Sequence, residues 1–144
     1  MSDVDRKLNA EGGYTLTEML VVIGIIGLIA AVLTPTLMGH LSRARTKAAE
    51  LQLKSTLSAV ELFREDVGRY PTTAEGLAVL VKEPAGVEGW TGPYLEGPSS
   101  LNDPWGRPII YALGRHVSVK SLGADGEPGG SSADRDLEVP ARAQ

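Results

Sequence analysis

Residues 11–35 read EGGYTLTEMLVVIGIIGLIAAVLTP: two glycines, one carboxylate at Glu18, then an uncharged run from Met19 to Leu33. With the TPTLM that follows, the stretch of low charge reaches Met38. As a helix that is about 20 residues and about 30 Å, enough to cross a bilayer once. Hydrocarbon penalises an ionised side chain by about 3 kcal/mol on insertion scales, so an acid at the mouth of such a run calls for a partner. A cleaved secretory signal has a basic start, a shorter apolar core and small residues after it. Here Gly12 and Gly13 come before the run, and the opening MSDVDRKLNA mixes Asp3 and Asp5 with Arg6 and Lys7. The segment therefore reads as a retained anchor. Pro35 removes a backbone donor and crowds the preceding turn, so a kink or local melting is expected there. Gly24, Gly27 and Gly39 lower helix propensity by about 1 kcal/mol each. They read equally as points where the helix stretches and as small residues that let neighbouring helices approach.

Outward from this stretch, HLSRARTKAAELQLKSTLSAVELFREDVGRY (residues 40–70) keeps a helical period. Leu41, Ala44, Ala48, Leu51 and Ser55 make one row, and Leu53, Leu57, Val60, Phe63 and Val67 an adjacent one. Together they predict a broad apolar face. Gly68 and Pro71 end the pattern, so one helix from Leu16 to Val67 is expected, about 75–80 Å long. Arg43, Arg45 and Lys47 form a basic cluster that could face lipid head groups, pair with Glu50, Glu61, Glu65 or Asp66 of another copy, or simply be solvated. Counting cations on the two flanks sets Arg6 and Lys7 against Arg43, Arg45, Lys47 and Lys54, which by itself places the C-terminal part in the cytoplasm.

Beyond Pro71, Thr72 and Glu75 have capping-box spacing and predict a short second helix ending near Pro84. Residues 85–108 form a long glycine- and proline-rich loop whose Trp90, Tyr94 and Trp105 read as anchors. IIYAL and HVSVKSL, around Gly114 and Arg115, predict an antiparallel hairpin packed on the long helix. The tail SLGADGEPGGSSADRDLEV sets Asp125, Asp134 and Asp136 in a loop with little apolar area. Its spacing is not that of an EF-hand, and composition alone reads it as a solvated acidic loop.

The 144 residues suffice for one domain plus a membrane element. A net charge of −4 leaves no basic footprint for nucleic acid. The absence of cysteine removes disulfides, thiolate metal sites and cysteine nucleophiles. His40 and His116 stand alone, and neither a GxSxG elbow nor a GxxxxGK[ST] loop is present, so no enzyme is expected.

GYTLTEML (residues 13–20), followed by the apolar run and Pro35, strongly resembles the leader junction and helix of type IV pilins and type II secretion pseudopilins. GRYPTTAEGLAVL, WTGPYL, NDPWGRPIIY and SLGADGEPGG look like the major, G-type branch of that family. The resemblance implies an α+β, type IV pilin-like fold: a long spine helix on a small antiparallel sheet with a glycine-rich C-terminal loop. It divides the chain into a leader (1–13), a transmembrane and filament-core half of the helix (14–38), an amphipathic half (39–70), and a periplasmic globular region (71–144) with a calcium loop at about 121–137.

It also implies that prepilin peptidase cuts between Gly13 and Tyr14 and methylates the new Tyr14 amine. Glu18 would then neutralise the amine of a neighbouring copy, with Pro35 at the helix's usual proline. Leu122 (through its carbonyl), Asp125, Asp134 and Asp136 would hold calcium, although Arg135 between the last two acids and the lack of a following Trp depart from the family pattern.

Against the cation count, the resemblance implies a bacterial inner-membrane protein with its N-terminus in the cytoplasm and its domain in the periplasm. Membrane lipid surrounds it before assembly, and it polymerises into a periplasmic pseudopilus that drives protein export across the outer membrane. The implied partners are further copies through the N-terminal helices, minor pseudopilins, the inner-membrane assembly platform and prepilin peptidase, with no nucleic acid. Two rivals are a type IV pilus or other pilin-like subunit, whose loop a disulfide usually closes, and a single-pass anchored binding module.

Overall fold

The structure is a computed structural model that describes residues 13–141. The predicted leader, except Gly13, lies outside the described residues. One helix, α1, runs over Leu16–Val67, 52 residues, with the bounds that the sequence predicts. Gly68 ends it with a φ of 80° and donates its N–H to the Arg64 carbonyl at 2.8 Å, a left-handed helix end that glycine adopts without strain. The backbone stays helical through residues 35 and 36, so the local melting expected at Pro35 does not occur. Pro removes only one bond of the ladder, and the turns on either side keep theirs. The chain divides into two compact units between Gly39 and His40.

In the first unit every residue from Tyr14 to Thr34 and from Leu37 to Gly39 is exposed, including Leu16 at 82% and Ile23 at 69%. This part of α1 is long and apolar enough to cross a membrane.

The second unit has its own core. Ala49, Leu53, Leu57, Val60 and Phe63 repeat every three or four residues along α1 and are buried against Leu80, Ile109, Val119 and Leu137. Only the second of the two predicted apolar rows is therefore covered, joined by Ala49, Thr56 and Ala59. Leu41, Ala44, Ala48, Leu51 and Ser55 of the first row do not reach the core, and all of them are exposed. The sheet covers one stripe of the helix, and the adjacent stripe has nothing among the unit's described residues to meet.

The predicted capping box forms: Glu75 N–H donates to Thr72 Oγ1 at 3.3 Å, and Thr72 N–H donates to Glu75 Oε2 at 2.7 Å. It opens a five-residue 3-10 turn, Gly76–Leu80, rather than a helix reaching Pro84. The long loop packs on its aromatics as expected. Trp90 Nε1 donates to the Val79 carbonyl at 2.8 Å, and Tyr94 meets Phe63 and Trp90 edge-on at 5.9 and 5.8 Å.

The hairpin is β1 (Ile110–Leu113) and β2 (Val117–Ser121), paired from Ile110↔Lys120 to Leu113↔Val117. A third strand, β3 (Leu137–Pro140), was not expected. It pairs antiparallel with β2 from Ser121↔Leu137 to Ser118↔Pro140 and places β2 at the centre of the sheet. The acidic loop therefore connects two adjacent strands and spans residues 122–136.

Candidate functional site

Two places gather the residues singled out in the sequence. At the start of α1, Gly13, Tyr14 and Thr15 precede the helix, and Thr15 Oγ1 accepts the Glu18 N–H at 3.1 Å. That bond caps one of the free donors of the first turn. Thr15-x-x-Glu18 is a capping-box spacing, but only half of the box is made. The Glu18 carboxylate has no hydrogen bond or ion pair among the described residues. An acid in the first helical turn is favoured by the helix dipole. Being exposed beside Met19, Leu20 and Val21, it still needs a counter-charge once water is withdrawn.

The second place is the loop between β2 and β3. Asp103 anchors its base. Its Oδ1 accepts the N–H groups of Trp105 and Arg107 at 3.0 and 2.9 Å, and its buried Oδ2 accepts Ser121 Oγ at 2.6 Å. The turn so formed holds Arg107 under the loop, where its guanidinium donates to the Gly123 carbonyl and packs against Gly126. Gly123, at a φ of 73°, lies so close to the 134–135 backbone that a Cβ would sit 2.6 Å from the Arg135 carbonyl oxygen. Only glycine fits there. Ala124 N–H donates to the Ala133 carbonyl at 3.0 Å, and Asp136 N–H to the Gly129 carbonyl at 3.1 Å. The two arms of the loop thus lie side by side, with Leu122 and Asp125 on one and Asp134 and Asp136 on the other.

The side chains are less gathered than the backbone. Asp125 is exposed and its Oδ1 accepts the Glu127 N–H at 3.1 Å. Asp134 is exposed, and its carboxylate makes no hydrogen bond among the described residues. Asp136 Oδ2 is 2.8 Å from Lys120 Nζ, which lowers the carboxyl's pKa and raises the ammonium's. Among the described residues no three His, Cys, Asp or Glu side chains gather as a metal cluster. Asp136 Oδ1, however, is buried with no hydrogen-bond partner. Carboxylates with spare oxygens beside loop carbonyls are the donor chemistry that a hard divalent cation takes.

Glu50 and Asp66 have partners within the chain. Lys47 at 3.3 Å and Arg135 at 2.9 Å hold the Glu50 carboxyl below the usual range, and Asp66 accepts bonds from the Thr91 and Tyr94 hydroxyls. The sequence reading gave Asp103, Arg107 and Lys120 no part in this site. The Asn-Asp-Pro-Trp-Gly turn carries the signal for Asp103, a short acid whose side chain accepts backbone N–H groups of its own turn.

Comparison with known proteins agrees with this fold. The family model for type II secretion system protein G matches residues 36–139, and that for the prokaryotic N-terminal methylation motif matches residues 8–34. The type II secretion system core protein G of Xanthomonas campestris pv. campestris is 36% identical over 131 residues, 89% of each chain. That of Pseudomonas aeruginosa is 37% identical over 134 residues, 88% of this chain and 93% of its own. The crystal structure of the major pseudopilin from the type 2 secretion system of enterohaemorrhagic Escherichia coli superposes with a TM-score of 0.57 at 28% identity, covering 72% of this chain and 93% of that one. A spine helix, a three-stranded antiparallel sheet and these matches together make the chain a member of the type II secretion system protein G family.

Proposed function

We propose that this chain, a structural subunit of the type II secretion pseudopilus, polymerises from the inner membrane through its N-terminal helices, with Glu18 setting the register of each incoming copy. The observation that carries this is the pairing of an exposed apolar α1 segment with a Glu18 carboxylate that no group among the described residues neutralises. Prepilin peptidase removes residues 1–13, leaving Tyr14 with a methylated amine that remains cationic. That amine stands next to the helix start, and in a staggered stack it reaches the Glu18 carboxylate of the neighbouring copy. The pair is favoured as lipid or protein replaces water, because a lone buried charge costs far more than a paired one.

Residues 14–38 form the membrane and filament core, residues 39–70 the amphipathic half, and residues 71–144 the periplasmic domain, with the N-terminus cytoplasmic. The uncovered stripe of Leu41 and Leu51 offers further area for contact between copies. Minor pseudopilins and the inner-membrane assembly platform complete the machine that this subunit serves in export.

Calcium belongs to the same reading, held by the Leu122 carbonyl and the carboxylates of Asp125, Asp134 and Asp136. When bound, the ion supplies a multivalent clasp between the two arms of the loop. The chain's own part is to hold those arms side by side through Gly123, the Ala124–Ala133 bond and Arg107, so that few torsions remain to be fixed. Asp136 Oδ1, buried and unpartnered, supports this assignment.

The test is Glu18→Ala against Glu18→Gln in cells carrying the rest of the machine. Both variants are expected to insert in the membrane and lose filament assembly and export, because neither can neutralise the amine. Undiminished assembly and export by Glu18→Ala would overturn the reading.

A further inference from the structure

A cleft of about 300 Å³ opens between the first turns of α1 in the second unit and the far arm of the acidic loop. Its walls carry the side chains of Arg43, Lys47 and Arg135 and one carboxylate, Glu50, with Ser42 and Ser132 at its edge. Three cations against one acid leave a local surplus of positive charge in a chain whose net charge is −4. The geometry distributes that surplus in a particular way. Glu50 is shared by Lys47 at 3.3 Å and Arg135 at 2.9 Å, so one acid positions two cations from different parts of the chain. Arg43 has no hydrogen-bond or ion-pair partner among the described residues and is exposed. On the loop side Ser132 holds a φ of 58°, the left-handed region that a serine rarely adopts, and such strain concentrates where a segment is shaped around a ligand.

We infer that this cleft binds the phosphodiester of an acidic phospholipid head group while the subunit is still anchored in the membrane. Guanidinium groups match phosphate oxygens with paired N–H donors, and Arg43 and Arg135 supply two such forks. The position along the chain favours lipid over free phosphate. Arg43 stands five residues past Met38, about 8 Å of helical rise, and a head-group layer is about 5–8 Å deep. The inference rests on the reading that the apolar part of α1 lies in a bilayer, and it adds a ligand class and a site to that reading. Its consequence is a subunit whose C-terminal loop is held to the membrane surface until a neighbouring copy replaces the lipid.

The test uses the full chain reconstituted in vesicles of equal parts phosphatidylglycerol and phosphatidylcholine, extracted gently and weighed by native mass spectrometry. The expected result is preferential retention of phosphatidylglycerol. Arg43→Gln should lower that preference about fivefold and the Arg43→Gln/Arg135→Gln pair about 25-fold, taking each cation near an anionic surface as worth about 1 kcal/mol. Arg43 is exposed and makes no hydrogen bond or ion pair among the described residues, so Arg43→Gln should leave the melt of the second unit unchanged. Arg115→Gln, in the exposed β1–β2 turn, should change nothing. Equal retention of both lipids, or a preference untouched by the double variant, overturns the site. A further arm adds inorganic phosphate to phosphatidylcholine vesicles. Phosphate adducts lost in Arg43→Gln, without any preference for phosphatidylglycerol, would make this a free-anion site and overturn the lipid assignment. A chain recovered apart from the vesicles overturns the membrane reading and the site together.

Discussion

The two units solve the problem of apolar surface in opposite ways. Beyond His40, Phe63, Val60, Leu80 and Val119 are withdrawn from water by partners in the same chain. Before it, the described side chains from Leu16 to Met38, at least as apolar, are exposed, with nothing among the described residues to cover them; on the function proposed above, lipid covers them first and other copies afterwards. One helix serves both halves, and the second unit stands as a small α+β domain with its own core. The contrast teaches that the core of the second unit draws on a separate stretch of α1 from the exposed apolar run, so on that function stability and assembly can be altered independently.

The largest expected effect tests that separation. Phe63→Ala removes a fully buried ring that packs edge-on against Tyr94, and should lower the stability of the second unit by about 3–5 kcal/mol. Leu28→Ala, on an exposed site of the first unit, should leave the melt of the full chain in detergent within about 0.5 kcal/mol of the parent. A comparable loss in both would break the comparison.

Calcium should sharpen it next. At a hundredfold excess over its dissociation constant the ion should add about 2.7 kcal/mol to the folded second unit. Asp125→Ala should abolish the gain, as read by melting with millimolar calcium or a chelator. Identical melts in both conditions would remove the ion from the loop.

A smaller effect is set by pH. Arg69, bonded to Glu75 at 2.8 Å, holds that carboxyl down at about 2 against an ordinary 4.5, helped by the Thr72 N–H. Because the folded value lies below the unfolded one, the contribution is whole above about pH 4.5 and is lost as pH falls through about 2. Glu75→Gln should cost about 1 kcal/mol at pH 7, the usual worth of such a cap, and the gap to the parent should close toward pH 2. A gap that persists at pH 2 would assign the cost to packing.

Much of this was legible in the sequence, and the failures have physical causes. The bounds of α1 followed from an uncharged run, an apolar period and Gly68, all of which act locally. Which apolar stripe is buried did not follow, because Leu41 and Leu51 repeat with the same period as the covered row and only the sheet's position decides between them. β3 was invisible: four residues after a glycine-rich acidic loop carry too little pattern, and β2's free edge recruits them. The acidic loop was located, but its framing by Asp103, Arg107 and Lys120 depends on contacts between residues distant in the chain. Gly13, Tyr14 and Glu18 were read from motif resemblance, which no folded contact within one copy could have supplied.

The most direct measurement is a zero-length carboxyl-to-amine cross-link on pseudopili assembled from a mixture of light and heavy isotope copies, followed by peptide mass spectrometry. The account predicts a Glu18–Tyr14 amide joining light to heavy peptides. Filaments that assemble while giving no such link between copies would contradict it.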